Sequence, residues 1–272
     1  HFKDKVIFLN CDDPEESNFW KYFALNFKFL ELRKLIATHF GNGKPSYKLE
    51  KTNGDIIRTP LKQNGDFRSP ECIEILKEAD IVVTNPPFSL FREFVAQLTE
   101  YKKKFIIIGN INALSYKEIF KLIKENKIWL GYSIHSGDRE FKIPNDYPLN
   151  AVGRRIDESG VKYIRIKGVR WFTNLDYKER YEDLILYKTY NENDYPKYDN
   201  YNAINVDVTK DIPMDYKGAI GVPVTFIDKY NPDQFEILGQ MATTKVDEFN
   251  YGYPYVDGKK KYARIIIRNK KL

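Results

Sequence analysis

The chain has 272 residues, 42% of them hydrophobic and 15% aromatic, with 20 Tyr, 18 Phe and 3 Trp. That length holds one large α/β domain or two modest ones, and that apolar content excludes global disorder. Forty-four basic against 38 acidic residues leave a formal charge of +6, compatible with a polyanionic partner but silent about fold. Cys11 and Cys72 are the only cysteines, which excludes a disulfide framework and a cysteine-based zinc cluster and fits a reducing, cytoplasmic setting. No apolar run reaches the roughly 20 residues that cross a bilayer, and no signal peptide is visible. The expectation is a protein with no membrane and no metal. Its start at His1 rather than Met reads as a trimmed product.

In chain order, Lys5 to Asn10 (KVIFLN) is a short apolar run that predicts a buried strand. Pro14 follows where a first helical turn tolerates proline. Phe19, Trp20, Phe23, Phe27 and Leu30 then recur at helical spacing over 15–30. Leu35 to Phe40 predicts a second strand, and Thr52-Asn53-Gly54-Asp55 predicts a hairpin within 41–62. Ser69-Pro70-Glu71 marks a helix start that runs to about Ala79. A strand into Asn85, a helix over 90–101, a strand over 104–109, a helix over 115–126 and a strand over 128–132 follow. This alternation predicts an α/β protein with a parallel sheet covered on both faces.

After about Asp138 the pattern changes. Residues 161–172 (VKYIRIKGVRWF) alternate around Gly168, as antiparallel strands or a hairpin would. Leu184 to Tyr187 is another strand candidate, 194–216 has little periodicity, and 219–239 and 263–267 resume short strand-like pieces. The expected division is a first region over 1–137, then a second over 138–272 that holds the end of the core sheet.

The stretch ADIVVTNPPFSL, Ala79 to Leu90, carries the chemistry. A hydrophobic strand leads straight into Asn85-Pro86-Pro87-Phe88. Asn85 offers a side-chain carbonyl, and Pro86 a backbone carbonyl without a competing N–H. Two prolines fix φ at adjacent positions, holding both acceptors still, and Phe88 offers a face for a stacked base. Such a set suits a planar exocyclic amine attacking a methyl group; a polar turn after a strand is the plainer alternative. In an open parallel sheet, ligands bind beyond the carboxyl ends of the strands. Candidate cofactor contacts there are Asn10, Cys11, Asp12 and Asp13 after the first strand, His39 after the second, and Asp66 and Phe67 beside them. Asp12 and Asp13 serve equally as carboxylates at a helix N-terminus, and His39 as a structural hydrogen-bonding residue.

Asp80 to Phe88 (DIVVTNPPF) resembles the catalytic motif of amino-methyltransferases. CDDPEESNFWKYFALNF, Cys11 to Phe27, and GVPVTFIDKYNPDQFEILG, Gly221 to Gly239, are similar to the EcoRI-type adenine-specific DNA methyltransferases, a likeness covering nearly the whole chain. The resemblance implies a Rossmann-like class I methyltransferase sheet with an added, largely β or irregular DNA-recognition region. It implies S-adenosylmethionine as cofactor, duplex DNA as partner, a cognate restriction endonuclease alongside, and methyl transfer to adenine N6. Asn85 and the Pro86 carbonyl would hold the adenine amine, Pro87 would set the loop, and Phe88 would stack on the flipped base. Two departures concern the cofactor side: Asn10-Cys11-Asp12-Asp13-Pro14 contains no glycine, and Thr38-His39 stands where an acid is usual. Cytosine ring methylation is disfavoured, because neither cysteine follows a proline. Arg139, Lys142, Arg154 and Arg155 form the densest basic group of the second half, with Lys162, Arg165, Lys167 and Arg170 beyond, as phosphate contacts would be. An RNA-base or protein-glutamine methyltransferase, or an inactive DNA-binding module of this fold, are the alternatives.

Overall fold

The computed structural model describes residues 1–11, 13–42, 46–134, 138–143 and 153–272, with Asp138 described by its backbone alone. The chain divides into two compact units: His1–Gly109 with Trp171–Leu175, and Asn110–Arg170 with Asp176–Leu272.

The first unit contains β1 (Val6–Leu9), α1 (Asn18–Leu25), β2 (Lys34–Thr38), β3 (Tyr47–Lys51), β4 (Ile56–Pro60), α2 (Pro70–Glu78), β5 (Ile81–Thr84), α3 (Phe91–Glu100) and β6 (Lys104–Asn110). β1 pairs in parallel with β2 on one side and β5 on the other, and β5 pairs in parallel with β6. Every residue of β1 and β5 is buried, as strands covered on both faces require. One face packs Ile7, Leu9, Leu35, Ala37, Ile81 and Val83 with Trp20, Phe23 and Phe27. Ser69 accepts from the Cys72 amide at the start of α2, and Pro70 occupies the first turn, where its missing N–H costs nothing.

The sheet is mixed rather than wholly parallel. The predicted hairpin forms across 52–55, with Lys51 opposite Ile56, and β3 runs antiparallel to β2, so the hairpin extends the sheet at one edge. The helix expected over 15–30 contracts to α1, because Ser17 caps it at Phe19 and Trp20 and Asn26 ends it. Next to β6 in strand order stands β11 (Val169–Thr173). Phe105 N–H donates to Asn174 Oδ1 at 2.9 Å, and Thr173 Oγ1 donates to the Phe105 carbonyl at 2.6 Å.

The second unit holds α4 (Lys117–Lys124), β7 (Trp129–Leu130), β8 (Asp138–Ile143), β9 (Arg154–Ile156), β10 (Lys162–Lys167), β12 (Ala203–Asn205), β13 (Ala219–Pro223), β14 (Phe235–Met241), β15 (Tyr255–Val256), β16 (Lys259–Lys260) and β17 (Arg264–Asn269). A four-stranded sheet runs β12-β13-β17-β14 and a three-stranded one β8-β10-β9. A bulge between Ile237 and Gly239 frees carbonyls of β14. Lys124 Nζ donates to those of Ile237 and Leu238 at 3.1 and 2.8 Å, as buried backbone oxygens require.

One expectation holds in part and one fails. Around Gly168, β10 is antiparallel to β8 and β9, but no hairpin forms with β11, which joins the large sheet. Residues 184–187 form no ladder, and Ile185 is largely exposed, so an apolar run without a partner strand stays extended. Short strands in the aperiodic stretch 194–216 went unread, since the three residues of β12 are too few for a period. No helix among the described residues is long and apolar enough to cross a membrane.

Candidate active site

From β1 the chain adds β2 on one side and later β5 on the other, so the strand order reverses between β1 and β5. Beyond the carboxyl ends at such a reversal, an α/β sheet opens a ligand crevice. Asn85 follows β5 directly. It is exposed, Pro86 is buried, and Phe88 is 42% exposed. The chain then turns through a short 3-10 segment, Phe88–Leu90, in which Leu90 N–H donates to the Pro87 carbonyl at 3.0 Å. The prolines thus stand between two exposed side chains, Asn85 at the strand end and Phe88 beyond it.

Beside this loop lies a buried polar row. Phe8 pairs with Ile36 and Val82; two residues on, the same register aligns Asn10 with Thr38 and Thr84, all on one face because side chains alternate with period two. Their exposures are 2%, 0% and 0%. Asn10 Nδ2 and the Oγ1 atoms of Thr38 and Thr84 find no hydrogen-bond partner among the described residues, although the Cys72 thiol lies near Thr38. Burial raises the pKa of that thiol, first of its causes, and Cys72 is fully buried in α2. Sequence reading named Asn10 and the Thr38-His39 strand end but gave Thr84 no role. The signal was an apolar-x-polar ending shared by all three strands: Phe8-x-Asn10, Ile36-x-Thr38 and Val82-x-Thr84.

Asp13 and His39 come together. Asp13 Oδ2 lies 3.7 Å from His39 Nε2, and Asp13 Oδ1 accepts from Tyr47 Oη at 3.0 Å. The His39 ring stacks on Tyr47 at 5.0 Å and 10°, and the Arg58 guanidinium lies 3.6 Å from the Tyr47 ring centroid while also meeting Glu15. Burial, and then the Asp13 carboxylate, push the Tyr47 phenol well above its usual range. A carboxylate therefore does reach the end of the second strand, delivered by the loop after the first. Tyr47 carried no sequence signal, since its role depends on β3 lying against β2.

Gly65 brings the third loop to the same place. Its φ is +75°, and a Cβ there would sit 1.9 Å from the His39 carbonyl oxygen, so only glycine allows the approach. Asp66 is committed: Arg68 Nε and Nη2 donate to its two oxygens at 2.9 and 2.8 Å, and that guanidinium holds the carboxyl below its usual range. Phe67 is 5% exposed and edge-on to Phe94 at 5.0 Å. Cys11 is half-buried beside Asn10, its Sγ 3.7 Å from Asn10 Oδ1. Asp12 lies outside the described residues.

Among the basic candidates, Arg170 is not a surface contact. It is 2% exposed and pairs with Asp228 at 2.7 and 2.9 Å, a burial that charge tolerates only when paired. Arg139, Lys142, Arg154 and Arg155 are all exposed on the three-stranded sheet. Arg155 donates to both Glu140 oxygens at 3.0 and 2.7 Å. No group of three potential metal ligands occurs among the described residues.

Residues 1–270 match the family described as adenine-specific methyltransferase EcoRI. The type II methyltransferase M.EcoRI of Escherichia coli is 49% identical, over 100% of this chain and 88% of that protein. The type II methyltransferase M.MgeORF184P of Mycoplasma genitalium is 41% identical, over 100% and 90%. M.MpnI of Mycoplasma pneumoniae, also a type II methyltransferase, is 38% identical, over 99% and 89%. No solved structure matches. With a match across almost its full length and relatives near half identity, this Rossmann-like α/β chain is an enzyme of the EcoRI-type adenine-specific methyltransferase family.

Proposed function

We propose that this chain methylates the exocyclic N6 of adenine in duplex DNA, with S-adenosylmethionine as methyl donor, as the modification partner of a restriction endonuclease. The observation that carries this is the placement of Asn85 and Phe88, exposed, at the end of a buried strand beside the reversal of strand order.

The surrounding residues fit the donor. Asn10 Nδ2 and His39 Nδ1 are buried polar atoms without a partner among the described residues, and Asp13 brings a part-exposed carboxylate to the same strand ends. Asn10, Cys11, Asp12, Asp13, His39, Asp66 and Phe67 would hold it there, Asp66 through its backbone because Arg68 occupies its carboxylate. When bound, the donor supplies an electrophilic methyl group on a sulfonium.

The chain's own part is orientation. Asn85 Oδ1 and the Pro86 carbonyl accept the two N–H bonds of the adenine amine and fix its plane, so its lone pair points out of that plane. Neither acceptor needs to ionise. Phe88 stacks on the extruded base, which offsets an unstacking cost of a few kcal/mol (~). Positioning of this kind, without a covalent nucleophile, supplies most of the acceleration. Residues 1–137 would provide this chemistry and residues 138–272 the DNA contacts, Arg139 and Arg154 among them.

The test is transfer of labelled methyl from S-adenosylmethionine to duplex DNA, RNA and protein, repeated with Asn85→Ala. Label in duplex DNA as N6-methyladenine is expected, with Asn85→Ala lowering turnover about 10²–10³-fold, as loss of one preorganised polar contact does. Label only in RNA or protein would refute the substrate, and unchanged turnover in Asn85→Ala would refute the role of the loop.

A further inference from the structure

The three-stranded sheet β8-β10-β9 turns two unlike faces to solvent. Pairing of Ile164 with Phe141 and Arg154, of Lys162 with Ile143 and Ile156, and of Ile166 with Arg139 places these eight residues on one face. The opposite face carries Glu140, Lys142, Arg155, Tyr163, Arg165 and Lys167 by the same alternation. An antiparallel sheet ordinarily packs its apolar face on a core. Here the apolar face stays open: Ile156 is 62% and Phe141 38% exposed, and Ile143, Ile164 and Ile166 are each only half-buried. Every one of its three cross-strand rows combines one basic residue with apolar neighbours.

Gly168 is where this sheet leaves its neighbours. Its φ is +72°, and a Cβ would lie 3.0 Å from Ile111 Cγ2 and 3.2 Å from Asn110 Oδ1. Asn110 Nδ2 also donates to the Lys167 carbonyl at 2.8 Å. The sheet is thereby anchored at the end of β10, within its own unit.

We infer that the Arg139–Phe141–Arg154–Ile156 face is the surface laid against duplex DNA, with Arg139, Arg154 and Lys162 meeting phosphates and Phe141 pressed against the bases as an apolar wedge. The inference rests on the DNA reading above and assigns it a face. Charge complementarity selects the occupant: among the described residues this face bears three cations and no acid, which suits a polyanion and repels a basic partner. The apolar residues select between faces. Minor-groove and kinking proteins insert side chains such as Phe and Ile between base steps, and a base that is flipped out leaves a stack to be supported. The opposite face lacks such residues, and its Arg155 is held by both Glu140 oxygens and lies 4.5 Å over the Tyr163 ring.

The experiment compares equal charge removal from the two faces of the full chain, by anisotropy with a labelled duplex across a salt series. Arg139→Gln/Arg154→Gln should reduce the slope of log K against log salt by about 2, since each phosphate contact contributes about 0.9. Lys142→Gln/Lys167→Gln should change that slope by less than about 0.5 on the same scale. Phe141→Ser should weaken binding about tenfold with the slope intact, the behaviour of a lost apolar contact rather than a lost phosphate contact. Unfolding midpoints of all three should match the unaltered protein, because the residues are exposed. Equal loss in both double variants, or unaltered binding by Phe141→Ser, overturns the assignment. Absence of any duplex binding or methylation by the unaltered protein overturns the DNA reading beneath it instead.

Discussion

The strand-end site and the three-stranded sheet use opposite physical means. At the site, Asn10, Thr38 and Thr84 are polar groups inside a core, and function draws on groups the fold leaves unpaired. On the small sheet, Phe141 and Ile156 are apolar groups held in water, and function draws on surface the fold leaves uncovered. Each departs from the rule that apolar residues pack inside and polar groups find partners. The lesson is that in this chain the departures mark the working surfaces, as consistency arguments anticipate.

The sharpest way to break the comparison is to look at two arginine–carboxylate pairs that differ only in surroundings. Arg170→Ala strands Asp228 in the interior and is expected to cost about 3–5 kcal/mol in chemical denaturation. Arg155→Ala, on the open sheet, is expected to leave the unfolding midpoint where it was. If both behave alike, burial does not decide what an arginine–carboxylate pair contributes here.

The buried row predicts effects of opposite sign. Thr84→Val keeps the shape and removes an unpartnered hydroxyl, so stability should rise by up to about 1 kcal/mol, the usual scale of one polar group's contribution. Turnover should fall, because function at this site draws on the row's unpartnered polar atoms, and Thr84→Ser should restore it. Thermal denaturation beside steady-state kinetics checks both; unchanged turnover in Thr84→Val would mean the row is only structural.

The smallest effect concerns acid. Arg68 holds the Asp66 carboxyl below its usual range, so the pair contributes stability above the unfolded carboxylate pKa and loses it as pH falls through the lowered folded value. Asp66→Asn should therefore be slightly less stable than the unaltered protein at neutral pH, with the gap closing on acidification below the ordinary Asp range. A gap that widens in acid would reverse the assignment of cause.

Much of the first unit could be read in the sequence, because its signals are local. Ser69-Pro70 announced α2, Asn53-Gly54 announced the β3–β4 hairpin, and the apolar run before Asn85 announced β5. What stayed hidden required register. That Asn10, Thr38 and Thr84 share one row, or that Arg139 and Lys142 face opposite ways, follows only once strand partners are known. The Asp13–Tyr47–His39 group was invisible for the same reason, since 34 residues separate Asp13 from Tyr47. Leu184 to Tyr187 misled because β-prone composition does not supply a neighbour to pair with.

The return of Trp171–Leu175 to the first unit has a consequence for how the protein is made. Thr173 closes onto Phe105 across 68 residues, so the strand beside β6 is still on the ribosome when the loop bearing Asn85 has long emerged. Domains that form during synthesis at ~5–20 residues per second generally do so as continuous pieces; this one must wait several seconds for its last strand. Until then β6 presents an unpaired edge, the kind of surface on which nascent chains associate. Expression at slow elongation or in chaperone-poor extracts is where that interval should become visible.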